Sequence, residues 1–125
     1  MKFLAEFIRP NTSLKMLDIG RNAFGDAGFL QFSQEMGANC SLSYLDISKN
    51  KDLDDEGSLV LMVKALAQNK NLTTLDMSGL RIRKPFLKNH FEPSLFFNCT
   101  LKYVVGTKMP AGIIDTELKT NIMIE

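Results

Sequence analysis

Asn39-Cys-Ser-Leu-Ser-Tyr-Leu-Asp-Ile-Ser-Lys-Asn50 alternates polar and apolar residues through Tyr44-Leu45-Asp46-Ile47-Ser48 and closes on asparagine. Successive side chains of a strand point to opposite faces, so Leu45 and Ile47 share a buried face while Tyr44 and Asp46 share an open one. The same pattern stands without gaps at Asn11-Thr-Ser-Leu-Lys-Met-Leu-Asp-Ile-Gly-Arg-Asn22 and at Asn69-Lys-Asn-Leu-Thr-Thr-Leu-Asp-Met-Ser-Gly-Leu80. A weaker copy, Asn98-Cys-Thr-Leu-Lys-Tyr-Val-Val-Gly-Thr-Lys-Met109, keeps the register. The leading leucines stand at 14, 42, 72 and 101, so the unit advances by 28, 30 and 29 residues.

The stretch between these copies changes period. Three, seven and ten residues before Asn39 lie Met36, Phe32 and Phe29, and before Asn69 lie Leu66, Met62 and Leu59. The same offsets from Asn11 give Ile8, Leu4 and Met1, which places the first residues inside a repeat's helix. Such spacing is one stripe of an amphipathic helix. A strand and a helix cannot enclose a core alone, so the units stack, strands parallel on one side and helices on the other. The expected fold is an α/β solenoid, a horseshoe segment with parallel strands on the concave face and helices on the convex face. Residues 1–125 then divide into a partial repeat at 1–10, repeats at about 11–38, 39–68 and 69–97, and a degenerate terminal repeat at 98–125.

Local signals fill in the unit. Asparagines at 11, 39, 69 and 98 fall where each helix ends, and Asn tolerates the left-handed conformation that terminates helices. Asn22 and Asn50 follow the strands, where a buried amide satisfies backbone groups of the turn. Asp26 and Asp55 precede the next helices, in position to cap them or favour their dipoles. In the third repeat Leu80 replaces the turn asparagine, and Pro85 and Pro93 interrupt the helix that carries Phe91 and Leu95, so that helix is kinked or irregular. Beyond Met109 the pattern fades into Pro110-Ala-Gly and a final Ile122-Met-Ile tail, either a last helix or a cut end. Neither terminus shows a polar cap, which points to a fragment, or to self-association or docking through the stacking ends.

Leu-x-x-Leu-x-Ile-x-x-Asn followed by Asp-x-Gly or Asp-Glu-Gly resembles the leucine-rich repeat of ribonuclease-inhibitor type over roughly residues 1–109. Leu17-Asp-Ile-Gly-Arg-Asn-Ala-Phe-Gly-Asp-Ala-Gly28 is similar to segments of CARMIL-type linkers of actin-capping protein, and the Asn-x-x-Leu openings resemble those of tropomodulins. Nucleotide-binding immune receptors and Ran GTPase activators use near-identical repeats. The resemblance implies a protein-binding module.

Composition agrees with one globular domain: 125 residues, 45% hydrophobic and 23% charged. Fifteen Lys and Arg against fourteen Asp and Glu leave a net charge of +1, so no field of one sign gathers nucleic acid or anionic lipid. No stretch approaches the roughly 20 apolar residues of a membrane span. The N-terminus, with Glu6 in its apolar stretch, is unlike a signal peptide, and two cysteines make no disulfide framework, so an intracellular, cytoplasmic setting is expected. Cys40 and Cys99 share a repeat position two units apart, which sets their α-carbons about 10 Å from each other, beyond the ~7 Å limit for a disulfide. They are expected as free thiols in the repeat's interior.

Motifs that suggest chemistry fail on inspection. Asp52-Leu-Asp-Asp-Glu-Gly57 matches the start of a calcium loop, but Val63 stands where a bidentate Glu must close it. Gly20-Arg-Asn-Ala-Phe-Gly25 has phosphate-loop glycine spacing, yet Asp26 stands where Lys is required. Glycosylation sequons at Asn11, Asn39, Asn71 and Asn98 fall largely on the repeat's own opening asparagine. His90, the single histidine, has no Cys or second His in register for zinc or a nucleophilic triad. No catalytic residues, cofactor or metal site is expected, and the chain reads as non-enzymatic.

The open strand face remains. Stacking aligns Met16, Tyr44, Thr74 and Tyr103 in one column, Asp18, Asp46, Asp76 and Val105 in the next, and Gly20, Ser48, Ser78 and Thr107 beside them. Arg21, Lys49 and Lys108 form a basic file broken at Gly79. Adjacent carboxylates repel, so the aspartate column needs cations or donors, for which the basic file is the nearest source. Met16, Asp18, Arg21, Tyr44, Asp46, Lys49, Thr74, Asp76 and Tyr103 are the candidate contact residues for a protein partner in a cytoskeletal or signalling assembly. Two other roles fit the same sequence: regulation of a partner enzyme such as a small GTPase, and an architectural segment of a larger complex.

Overall fold

The computed structural model describes residues 2–23, 26–53, 57–97, 100–106 and 123–124. Its elements alternate as the periodicity requires: α1 (Lys2–Ile8), β1 (Met16–Asp18), α2 (Asp26–Ala38), β2 (Tyr44–Asp46), α3 (Ser58–Gln68), β3 (Thr74–Asp76), α4 (Lys84–Phe86), a π-helical turn (Leu87–Phe91), α5 (Glu92–Phe97), β4 (Tyr103–Val105) and β5 (Met123–Ile124). The strands form one parallel sheet in sequence order, β1-β2-β3-β4-β5. Its register pairs Met16 with Tyr44, Tyr44 with Thr74 and Thr74 with Tyr103. The parallel ladder outruns these short strands, because Arg21 N–H donates to the Ser48 carbonyl at 2.9 Å and Lys49 N–H to that of Ser78 at 2.8 Å.

One continuous core runs from Ala5 to Val104. Each repeat contributes two sets of side chains, from the strand (Leu42, Leu45, Ile47) and from the helix stripe (Phe29, Phe32, Met36), all fully buried. The third repeat does the same with Leu72, Leu75 and Met77 against Leu59, Met62 and Leu66. Leu14 and Leu17 are only partly buried, because β1 is the edge strand and has a neighbour on one side. Leu53, which directly follows the acid of the calcium-like run at Asp52, is buried too, while Asp54, Asp55 and Glu56 lie outside the described residues.

Asn11, Asn39 and Asn69 do not take the left-handed conformation expected of the opening asparagines, and Asn98 lies outside the described residues. Asn69 is extended, with φ −69° and ψ 129°. Its side chain works instead: Oδ1 accepts from the N–H groups of Asn71 (2.9 Å) and Leu72 (2.7 Å), and Nδ2 donates to the carbonyls of Met36 (2.9 Å) and Asn39 (3.1 Å) in the preceding repeat. Asn39 is built alike, accepting from Ser41 and Leu42 and donating to Ile8 and Asn11. An amide has both acceptor and donor, so one buried side chain bends its own chain and ties two repeats. This geometry leaves no free Nδ2 at Asn39 for a glycan.

Left-handed backbone occurs one turn later. Arg21 (φ 58°), Lys49 (φ 57°) and Gly79 (φ 75°) occupy the same position after their strands. The glycine that interrupts the basic file thus sits where glycine is favoured on conformational grounds.

Three other expectations change. Asp26 is the first residue of α2 rather than a residue before it, and Asp55, ahead of the start of α3 at Ser58, lies outside the described residues. Cys40 is a free thiol but exposed, not interior; the equivalent positions hold Thr12 and Lys70, which turn outward likewise, and Cys99 lies outside the described residues. The tail is strand rather than helix where described, since Met123 and Ile124 pair with Tyr103 and Val104 as β5.

The irregular third helix is as the prolines require. Pro85 occupies the first turn of α4, where its missing N–H is harmless. Before Pro93 the helix widens to a π turn, with Glu92 N–H donating to the Leu87 carbonyl five residues back. A proline ring clashes with the carbonyl four residues before it, and the wider turn makes room.

Candidate functional site: the concave strand face

The register places the predicted columns side by side: Met16, Tyr44, Thr74 and Tyr103 in one, Asp18, Asp46, Asp76 and Val105 in the next. Met16 is 65% exposed and Tyr103 45%, with Phe7 at 50% on α1 the largest exposures of big apolar side chains among the described residues. Tyr44 and Thr74 are half-buried between them. Burial pushes the Tyr44 phenol above its ordinary range, and the fields of Asp46, Asp76 and Asp18 push it the same way, so it stays neutral and able to donate.

The aspartates are satisfied by a route the sequence did not show. Oδ1 of Asp18 accepts from Gly20 N–H at 2.8 Å, Oδ1 of Asp46 from Ser48 N–H at 2.8 Å, and Oδ1 of Asp76 from Ser78 N–H at 2.9 Å. Each aspartate therefore turns its own chain out of the strand. Arg21 and Lys49, expected as the neutralising file, form no ion pair with these carboxylates; the described ion pair joins Arg9 to Glu35 at 3.3 Å on the helical side. Asp18, Asp46, Asp76, Arg21 and Lys49 nonetheless line one open groove of about 380 Å³ with Gly20, Ser48 and Ser78. Thr107 and Lys108 lie outside the described residues.

Beneath the groove the turn asparagines close the repeat. Asn50, fully buried, donates through Nδ2 to the carbonyls of Ile19 (3.0 Å), Ile47 (2.8 Å) and Ser48 (3.3 Å). Ser48 itself, singled out only as a neighbour of the aspartates, is nearly buried and is the residue that sequence reasoning undervalued. Its signal was the alternation that puts Gly20 beside it. His90 is exposed on the π turn, its ring 5.7 Å from that of Phe86, among no metal ligands. Among the described residues no group of three or more His, Cys, Asp or Glu side chains is arranged to hold a metal, and no helix is long and apolar enough to cross a membrane.

Parallel strands in file with helices behind them, repeating every 28–30 residues, are the architecture of a leucine-rich-repeat solenoid. The family described as Leucine Rich repeat matches residues 11–30 and 38–62. Among solved structures, the fold is similar to Leiomodin-1 Actin-Binding Site 2, with a TM-score of 0.79 at 12% identity over 98% of this chain and 75% of that one. No curated protein matches the sequence.

Proposed function

We propose that this chain is a non-enzymatic protein-interaction module whose concave face, centred on Met16, Tyr44, Thr74 and Tyr103, receives a protein partner. The observation that carries this reading is the exposure of Met16 and Tyr103 on a rigid sheet. These side chains make no hydrogen bond among the described residues, in contrast to the aspartates, and aromatic or Met side chains are enriched where proteins bind. Asp18, Asp46, Asp76, Arg21 and Lys49 supply the polar border. The structural similarity to a leiomodin segment named for actin binding favours a cytoskeletal partner over a signalling one, and the 28–30-residue step favours the ribonuclease-inhibitor type of repeat. The exposed free thiol of Cys40 supports a reducing, intracellular setting. Self-association through the stacking ends is a separate proposal, checked by sedimentation over a range of concentrations.

Site-specific photocrosslinking tests the reading. A benzophenone amino acid placed at Met16 or Tyr103 should give adducts of discrete mass in native extract, and one placed at Lys64 on α3 should not. Adducts from Lys64 alone would move the surface to the helices.

A further inference from the structure

The second oxygens of the aspartate column are unused. Oδ1 of Asp18, Asp46 and Asp76 is committed to the backbone, whereas Oδ2 of each has no hydrogen bond or ion pair among the described residues. Neighbouring strands set the three carboxylates about 4.8 Å apart along the groove. A second, independent feature points into the same space. Ser48 is only 8% exposed, yet its hydroxyl makes no hydrogen bond among the described residues. The equivalent hydroxyl of Ser78 is occupied, donating to Asp76 Oδ1 at 2.5 Å. Gly20 leaves the lane above Ser48 open, since a Cβ there would lie 2.9 Å from Ser48 Oγ and 3.1 Å from Asp18 Oδ1. A buried hydroxyl without a partner is costly unless something brings one.

We infer that the groove is an arginine subsite: a guanidinium from the partner bridges the free oxygens of neighbouring aspartates, and Ser48 Oγ accepts one of its N–H groups. This rests on the reading of the concave face as the docking surface. Charge decides the sign of the ligand, because three carboxylates outnumber the two cations, Arg21 and Lys49, on the groove's lining. Shape decides between the cations: a planar fork with five donors spans two carboxylates one strand apart, which a point-like ammonium cannot. Arg21 and Lys49 repel a second basic residue, so the fitting segment carries one arginine among neutral or acidic neighbours. Tyr44 and Met16 in the adjacent column meet the apolar residues beside it, and the Tyr44 ring offers a face to the guanidinium.

The amides of Gly20, Ser48 and Ser78 donate to the three carboxylates and so report on them directly. The test is an amide chemical-shift titration of the full chain with acetyl-Gly-Leu-Arg-Leu-Gly-amide and with the same peptide carrying citrulline, which keeps the shape and removes the charge. The arginine peptide should give saturating shifts at these amides and bind about tenfold more tightly than the citrulline peptide. Asp18→Asn/Asp46→Asn/Asp76→Asn keeps the acceptor each turn needs and should abolish that difference; Asp46→Asn alone serves if the triple variant does not fold. Ser48→Ala should weaken the arginine peptide only. Equal affinity for both peptides, or no saturable binding of the arginine peptide, overturns the subsite. Equal affinity with shifts along Met16, Tyr44, Thr74 and Tyr103 overturns the subsite while leaving the docking face standing, and that face fails separately if crosslinks form only from the helices.

Discussion

The backbone N–H of Asn22 donates to Oδ1 of Asn50, 2.9 Å away in the next repeat. Through this bond and three more from its Nδ2, Asn50 ties the turn of one repeat to the turn of another. Asn50→Ala leaves buried carbonyls and an N–H unpaired, and each lost bond is worth about 1 kcal/mol before the desolvation penalty. Chemical denaturation should show a loss of about 3 kcal/mol or more. Asn22, whose exposed side chain bonds only within its own turn, should lose about 1 kcal/mol on the same change.

The left-handed file gives a prediction of opposite sign. Lys49 adopts φ 57°, a conformation that disfavours non-glycine residues by roughly 1–2 kcal/mol. Lys49→Gly should therefore raise stability slightly or leave it unchanged, despite glycine's greater freedom when unfolded. Gly79→Ala should lower it, because φ is 75° there and the new Cβ would sit 2.9 Å from Lys49 Cγ. Thermal melts in which Gly79→Ala falls and Lys49→Gly does not would establish that this position is held by backbone conformation.

Leu45 is fully buried at the centre of the sheet, with β1 and β3 on either side. Leu45→Ala should cost about 2–5 kcal/mol by leaving a cavity between strand and helix layers. Unchanged denaturation midpoints would mean that the repeats are packed in another register.

Tyr44 has a pH signature. Its native phenol titrates above the ordinary value of about 10, so the folded state holds this proton more tightly than the unfolded state. The resulting stability is complete below pH about 10 and is lost as pH rises through the native value. In a Tyr103→Phe background, tyrosinate absorbance should titrate late, and Asp46→Asn should shift it earlier. A midpoint indifferent to Asp46→Asn would contradict a contribution from that carboxylate and leave burial with Asp76 and Asp18 as the cause.

The repeat was legible because its two periods are carried by bulky apolar residues in phase. Leu42, Leu45, Ile47, Phe29, Phe32 and Met36 could be assigned to the core from spacing alone, and the register of Met16, Tyr44, Thr74 and Tyr103 followed from aligning the copies. Misreadings fell on residues whose role depends on hydrogen bonding. Asn39 and Asn69 look like helix terminators from position, yet each amide reaches into the preceding repeat, a partner about 30 residues away that no local pattern shows. Asp18, Asp46 and Asp76 read as a column that needs cations or donors, with the basic file nearest; the donors are three backbone N–H groups of their own turns, two residues on. Cys40 could have been placed correctly, since Thr12 and Lys70 at its position are polar.

The central claim is that the column of Met16, Tyr44, Thr74 and Tyr103 docks the partner, and affinity decides it. Isothermal titration of the crosslinked partner, once purified, against Met16→Ala/Tyr44→Ala should show affinity reduced by about 2 kcal/mol, roughly 30-fold, with the fold intact. Glu35→Ala/Lys64→Ala, on the helical side, removes a surface ion pair with Arg9 of small worth and should leave affinity within about twofold. Equal losses from the two pairs, or a loss from the helical pair alone, would contradict the assignment of the concave face.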